Sequence, residues 1–190
     1  MPTPERSPGT QLPEPWMCFF DDLDTLIEEP IEIHCFGGFV LIHVYGVART
    51  TNDIDYVGLI PRPLQSKLTE LAGEGSALHR RHGVYLDAVG VATVPEAYQE
   101  RLIAILSGTW KNVKLFALEA HDLALSKLER NLERDRDDVQ RLARAGYLNP
   151  ETLQSRYRSE LRPHLLARET WHDQTMDMWI GSFWPEIQNP

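Results

Sequence analysis

The chain has 190 residues, 42% of them hydrophobic, and a formal net charge of -9. That is enough apolar content for a core of its own, with one domain and a helical extension as the natural count, and too little positive charge for indiscriminate nucleic-acid binding, which needs Lys and Arg in number. The longest apolar runs, Phe39 to Val44 and Leu102 to Leu106, fall far short of the ~20 residues of a membrane-spanning helix, so a soluble protein with no membrane partner is expected.

Residues 1–15 carry Pro2, Pro4, Pro8, Pro13 and Pro15 and no apolar stretch. They read as a disordered tail rather than a secretory signal, and the expected location is cytoplasmic. Cys18 and Cys35 form no CxxC unit and no zinc-spaced array, so two reduced thiols are expected. Charge is uneven: residues 1–60 hold Arg6 and Arg49 against ten acidic side chains, whereas 121–170 hold ten Lys and Arg against nine Asp and Glu.

Trp16 to Glu29 spaces Phe19, Phe20, Leu23, Leu26 and Ile27 as a helix does, with its acidic residues on a solvated face. Pro30 stops it, and Ile31 to Phe36 alternates as a strand. Gly37 and Gly38 then precede a helix from about Phe39 to Tyr45. Such a junction leaves backbone N–H groups at a helix start, where phosphate oxygens are favoured; a tight turn that needs glycine is the competing explanation. Gly46 ends the helix, and Asp53 to Ile60 is a second strand. On it Asp53 and Asp55 share one face, roughly 6–7 Å apart, with Ile54 buried on the other. Two carboxylates on one face make a poor core and a good magnesium site.

Pro61 and Pro63 introduce a helix from about Leu64 to Ala72. Arg80, Arg81 and His82 precede a third strand, Val84 to Val91, in which Asp87 sits among apolar residues. A carboxylate there is paired, binds a cation, or faces water from an edge strand. Residues 95–111 are unreadable apart from a turn at Gly108, and Val113 to Leu118 is a fourth strand. Asp122 is read as the N-cap of a helix running through Leu142, with Leu123, Leu125, Leu128 and Leu132 as its packing face and Lys127, Arg130 and Arg134 sharing a side. After Gly146 and Pro150 come two helices, Glu151 to Ala167 and Glu169 to Phe183, the second rich in aromatic residues. The histidines are scattered, and no Ser-His-Asp series, Walker-type loop or HExxH occurs.

The Gly37–Gly38 pair followed by Arg49, Thr51, Asp53, Ile54 and Asp55 resembles the nucleotidyltransferase superfamily of the polymerase-β-like fold. The Arg-x-Thr-x-Asp-Ile-Asp form resembles the abortive-infection and toxin–antitoxin branch. So does the second segment, Asp122, Leu123, Lys127 and Leu128 followed by Arg134, Asp135 and Asp138. The resemblance implies an α+β fold, a small mixed β-sheet core with flanking helices and a C-terminal helical extension, divided into a tail (1–15), a nucleotidyltransferase-like domain (16–145) and the extension (146–190). It implies transfer of an NMP from an NTP to a hydroxyl, with Mg2+ (or Mn2+) held by Asp53, Asp55 and Asp87. Asp87 would also serve as base, Gly37, Gly38 and Lys127 would meet the triphosphate, Arg49 and Thr51 would line the sugar and phosphate approach, and Asp135 would orient the site. The implied partners are the NTP, an RNA (tRNA included) or protein acceptor, and an antitoxin protein. A non-catalytic nucleotide- or partner-binding domain of the same fold is the alternative, and a drug-modifying adenylyltransferase a third.

Overall fold

The computed structural model describes residues 12–89, 93–165 and 167–184. They fall into two compact units, one of residues 12–89 and 102–118, the other of 93–101, 119–165 and 167–184. Most of the N-terminal tail expected over 1–15 lies outside the described residues; of its last four, Leu12 is buried.

The first unit is built on a five-stranded mixed sheet. Its strands are β1 (Ile31–Cys35), β2 (Asp53–Ile60), β3 (Tyr85–Ala88), β4 (Ile103–Ile105) and β5 (Val113–Ala117), in the order β3-β2-β1-β5-β4. β1 runs antiparallel to β2 and parallel to β5, β2 and β3 are parallel, and β4 is antiparallel to β5. Period-two alternation gives the sheet one apolar face. Ile31, Ile33 and Cys35 stand in register with Val113, Leu115 and Ala117, and all six are buried. Ile54 and Tyr56 extend that layer along β2, which turns Asp53 and Asp55 to the opposite face.

Helix α1 (Trp16–Leu26) buries Trp16, Phe19, Phe20 and Leu23. The Phe20 ring lies 6.4 Å from Phe39 and 5.3 Å from Trp110. Its acidic residues are not merely solvated. Asp21 accepts the Trp110 indole N–H at 2.8 Å, and Asp24 accepts the Asn112 and Val113 amides at 2.6 and 2.8 Å. They latch the helix to the start of β5, a long-range pairing that helical spacing cannot reveal. Leu26, expected on the packing face, is exposed, and Ile27 just beyond the helix is buried in its place.

Helix α2 (Gly37–His43) begins at the glycines themselves rather than after them. A 3-10 turn leads into α3 (Gln65–Ala72), and Ala77–His82 forms a further helix, α4, capped by Ser76 and closed by Gly83. α4 was unread in the sequence because four of its six residues are His or Arg.

The second unit is helical: α5 (Ala120–Leu125), α6 (Glu133–Arg144), α7 (Pro150–Arg156) and α8 (Glu169–Phe183). The single helix expected from Asp122 through Leu142 is two, separated at Asn131, whose φ of 44° lies in the left-handed region. Glu119, not Asp122, caps α5 by accepting the His121 amide at 3.1 Å. Leu123, Leu125 and Leu128 are buried as expected, and Leu132, at the cap position of α6, is exposed. The helix expected over Glu151 to Ala167 starts at Pro150 and widens to a π-turn at Tyr157–Leu161. It ends in a 3-10 turn at Arg162–His164, where Pro163 lacks the N–H to continue it. α8 has the expected bounds and buries Met176, Trp179 and Ile180.

Candidate functional site

In the first unit, the end of β1 delivers the chain into Gly37 with φ of 68°, a conformation open to glycine and costly for other residues. The carboxylate of Asp55 lies directly against it. A Cβ built on Gly37 would stand 2.1 Å from Asp55 Oδ2, so no side chain fits there. Its neighbour faces the residues just before β2: a Cβ on Gly38 would lie 3.0 Å from Thr51 Oγ1 and 3.5 Å from the guanidinium carbon of Arg49. Thr51 in turn donates its hydroxyl proton to Asp53 Oδ1. Glycine is therefore used twice to let backbone approach side chains, and Gly37, Gly38, Arg49, Thr51, Asp53 and Asp55 are brought together.

Across β2 from these glycines lies β3, in parallel register. Asp53 is opposite Tyr85 and Asp55 is opposite Asp87, so Asp87 shares the face of the Asp53–Asp55 pair. Asp87 is exposed there, while Asp53 and Asp55 are half-buried. Its strand is described only as far as residue 89, so the expected end at Val91 lies outside the described residues. Burial, followed by the charges of Asp53, Glu74, Asp87 and Asp55, pushes the Tyr85 phenol above its ordinary pKa and keeps it protonated.

Residues 20–181 match the family model described as nucleotidyltransferase of unknown function (DUF6036). The chain belongs to this family. No curated protein and no solved structure matches it. The nucleotidyltransferase thus has an α+β fold whose mixed sheet and flanking helices agree with the expectation from its sequence. None of its described helices is long and apolar enough to cross a membrane.

Among the described residues of this nucleotidyltransferase, no group of three or more His, Cys, Asp and Glu side chains is gathered to hold a metal ion by itself. The donor set at the glycines nonetheless fits Mg2+. That ion takes hard oxygen ligands, and it is commonly held by one or two carboxylates completed by substrate phosphates rather than by an all-protein cage. Asp53 and Asp55 supply two such carboxylates on one face, and the space a Cβ would fill at Gly37 is what admits the second of them.

Lys127 and Asp135 belong to the second unit. Lys127 is buried, and its ammonium donates to Asp138 Oδ2 at 2.9 Å and to Asp135 Oδ1 at 3.4 Å. Arg130 grips the same Asp135 with two hydrogen bonds of 2.7 and 2.6 Å, and Asp135 accepts the Leu132 amide at 3.1 Å. Burial alone would raise the Asp135 pKa, but Arg130, Lys127 and the Leu132 amide hold it below the usual carboxylate range. The break at Asn131 brings Asp138 to Lys127.

A second network in this unit had no sequence signal. Asp122, fully buried, accepts Arg101 at 2.9 and 3.0 Å and Arg156 at 3.1 Å. Arg101 also binds Glu160 at 2.6 Å, and Arg156 also binds Glu119. Arg101 and Arg156 lie 21 and 34 residues from Asp122, far beyond any local pattern.

Proposed function

We propose that this nucleotidyltransferase moves a nucleoside monophosphate from an NTP to a hydroxyl of RNA or protein and releases pyrophosphate. The observation that carries the reading is the close approach of the Asp55 carboxylate to Gly37, beside Asp53 and in register with Asp87. Glycines packed against paired carboxylates suit a triphosphate held with a divalent ion, and a structural turn would have no need of the acids.

Asp53 and Asp55 would hold Mg2+ or Mn2+ together with substrate phosphates, and Asp87 would approach the ion from the neighbouring strand once substrate is bound. The bound ion would screen the triphosphate and lower the pKa of the attacking hydroxyl. Thr51 orients Asp53 through its hydroxyl hydrogen bond. Arg49, whose guanidinium lies close to Gly38, would bring positive charge to the phosphate approach. Asp87, exposed on the same face, would take the proton of the acceptor hydroxyl. Catalysis here is positioning plus electrostatics rather than covalent chemistry.

A triphosphate contact by Lys127 and an orienting role for Asp135 belong to the same proposal, as do action in the cytoplasm as a toxin and a cognate antitoxin. Their support is the sequence pattern of Asp122, Lys127, Asp135 and Asp138.

The test is incubation with each α-labelled NTP, Mg2+ or Mn2+, total RNA and cell protein, beside the Asp53→Ala/Asp55→Ala variant. Label transferred by the wild type and lost in the variant supports the reading, and the labelled species names the acceptor class. Absence of transfer under every nucleotide, while another nucleotidyltransferase works in the same tubes, gives the non-catalytic binding domain the lead.

A further inference from the structure

The two sides of the carboxylate row differ. Toward β1 lie Gly37, Gly38, Arg49 and Thr51, the side suited to a triphosphate. Toward β3 lie Asp87 and, two residues earlier on the same face, Tyr85, in register with Asp53. The acceptor must come from the side away from the leaving pyrophosphate, because attack and departure are in line. Tyr85 therefore stands on the acceptor side, and the nucleotide-binding groups leave it without a role.

Tyr85 is not an isolated ring. His79 of α4 lies against it, with ring centroids 4.7 Å apart and planes at 47°. His79 is anchored from two directions: its amide donates to the Ser76 hydroxyl at 3.1 Å, and its Nδ1 accepts the Gly75 amide at 2.8 Å. Because a backbone N–H can only donate, the neutral ring carries its proton on Nε2. The pair is thus a pre-set aromatic surface, half-buried and half-open. The last turn of α4 adds Arg80 and Arg81, both exposed, before Gly83 turns the chain into β3. Aromatic rings are the groups on which unpaired RNA bases stack, and a single-stranded end is where they are free to do so.

We propose that the Tyr85–His79 pair is a stacking platform for the terminal base of a single-stranded RNA 3′ end, and that it sets the ribose hydroxyl beside Asp87. This rests on the nucleotidyl-transfer reading above and names its acceptor class. In the step, the terminal ribose oxygen bonds to the α-phosphorus of the NTP and the bond from that phosphorus to the pyrophosphate oxygen breaks. The hydroxyl proton passes to Asp87, and pyrophosphate leaves.

Two measurements separate this inference from the reading beneath it. The first needs no chemistry: full-length protein is mixed with a ten-nucleotide single-stranded RNA carrying 2-aminopurine at its 3′ terminus, and with the same RNA carrying it at the centre. Quenching confined to the 3′-terminal probe, retained by Asp53→Ala/Asp55→Ala, retained by Tyr85→Phe and lost in Tyr85→Ala, is the expected result. The second is steady-state transfer to the unlabelled RNA. Tyr85→Ala should raise KM for RNA on the order of tenfold or more, as loss of one stacked base does, while Tyr85→Phe and the KM for NTP stay within about twofold of wild type. Equal quenching at both positions, or a Tyr85→Ala effect that falls on kcat alone, overturns the platform. Transfer to protein with none to RNA also overturns it and leaves the nucleotidyl-transfer reading standing. Failure of that reading would instead appear as no Asp53/Asp55-dependent transfer to any acceptor.

Discussion

Replacing Gly37 with Ala adds one methyl group at the place where the structure has least room for it. Two costs follow. The left-handed φ of 68° penalises any L-residue by about 1–2 kcal/mol. The new Cβ would fall 2.1 Å from Asp55 Oδ2 and 3.0 Å from its Cγ, so the carboxylate must move or the turn must open, an overpacking cost of about 1–3 kcal/mol. The sum, about 2–5 kcal/mol, is expected as a lower denaturant midpoint with an unchanged m-value. Gly38→Ala is the control. Its Cβ would meet Thr51 Oγ1 at 3.0 Å with no close contact to Asp55, and a shift of a few tenths of an ångström accommodates it, so the expected loss is smaller. The two Gly37 costs separate in a double-mutant cycle: Asp55→Ala removes the clash but not the backbone strain, so Gly37→Ala should cost less on the Asp55→Ala background than on the wild type. A Gly37→Ala protein that unfolds at the wild-type midpoint, or a cycle with no coupling, refutes the close approach on which the proposed site rests.

Asp122→Ala distinguishes a buried ion-pair partner from a helix cap: stranding Arg101 and Arg156 should cost about 3–5 kcal/mol, whereas loss of a cap costs ~1 kcal/mol, and equilibrium unfolding separates the two. Lys127→Met leaves Asp135 and Asp138 without their shared ammonium and should destabilise by a similar amount, about 3–5 kcal/mol, with part of it recovered when Asp138→Leu is added; a fully stable Lys127→Met refutes the strut. Glu119 sets an acid limit on stability. Burial alone would raise its pKa, but His121 and Arg156 hold it at about 2 in the folded chain, against 4.5 for the free group. A carboxylate depressed by folding contributes its full stability above the unfolded value and loses it as pH falls toward the folded one. The unfolding midpoint should therefore drop between about pH 5 and pH 2, and Glu119→Gln should flatten that slope; an unchanged slope in the variant would remove Glu119 from the account.

What could be read in the sequence follows the range of the interactions involved. β2 was expected at Asp53 to Ile60 and has those bounds, because alternation is a property of adjacent residues and a carboxylate on the apolar face would be costly at once. The same rule put Asp53 and Asp55 on one face. The helix expected from Asp122 onward failed for the complementary reason. Its leucines and basic residues keep helical spacing across Ser126 to Leu132, and nothing local announces that Asn131 turns the chain aside. Once that turn exists, Lys127 and Arg130 converge on Asp135 instead of lining a continuous face with Arg134, and Asp122 is drawn into a buried network by partners far along the chain.

The candidate site was legible in its residue types and not in its reason for needing glycine. From sequence, Gly37 and Gly38 stood for free amides at a helix start, an explanation that refers only to the helix. In the fold their positions are dictated from outside it. Asp55 of β2 and Thr51 just before it arrive from 18 and 13 residues further on, and occupy the volume in which side chains at 37 and 38 would lie. The glycines and the acids are therefore one feature: substitution of either should be felt at the other, which is what coupling between positions 37 and 55 measures. Tyr85 follows the same logic from the other side. It carries no motif, and it enters the site only because β3 pairs in parallel with β2 in the register that sets Asp87 beside Asp55. A one-residue slip of that register would turn both side chains to the apolar face, so the pairing that provides the third carboxylate also provides the aromatic ring.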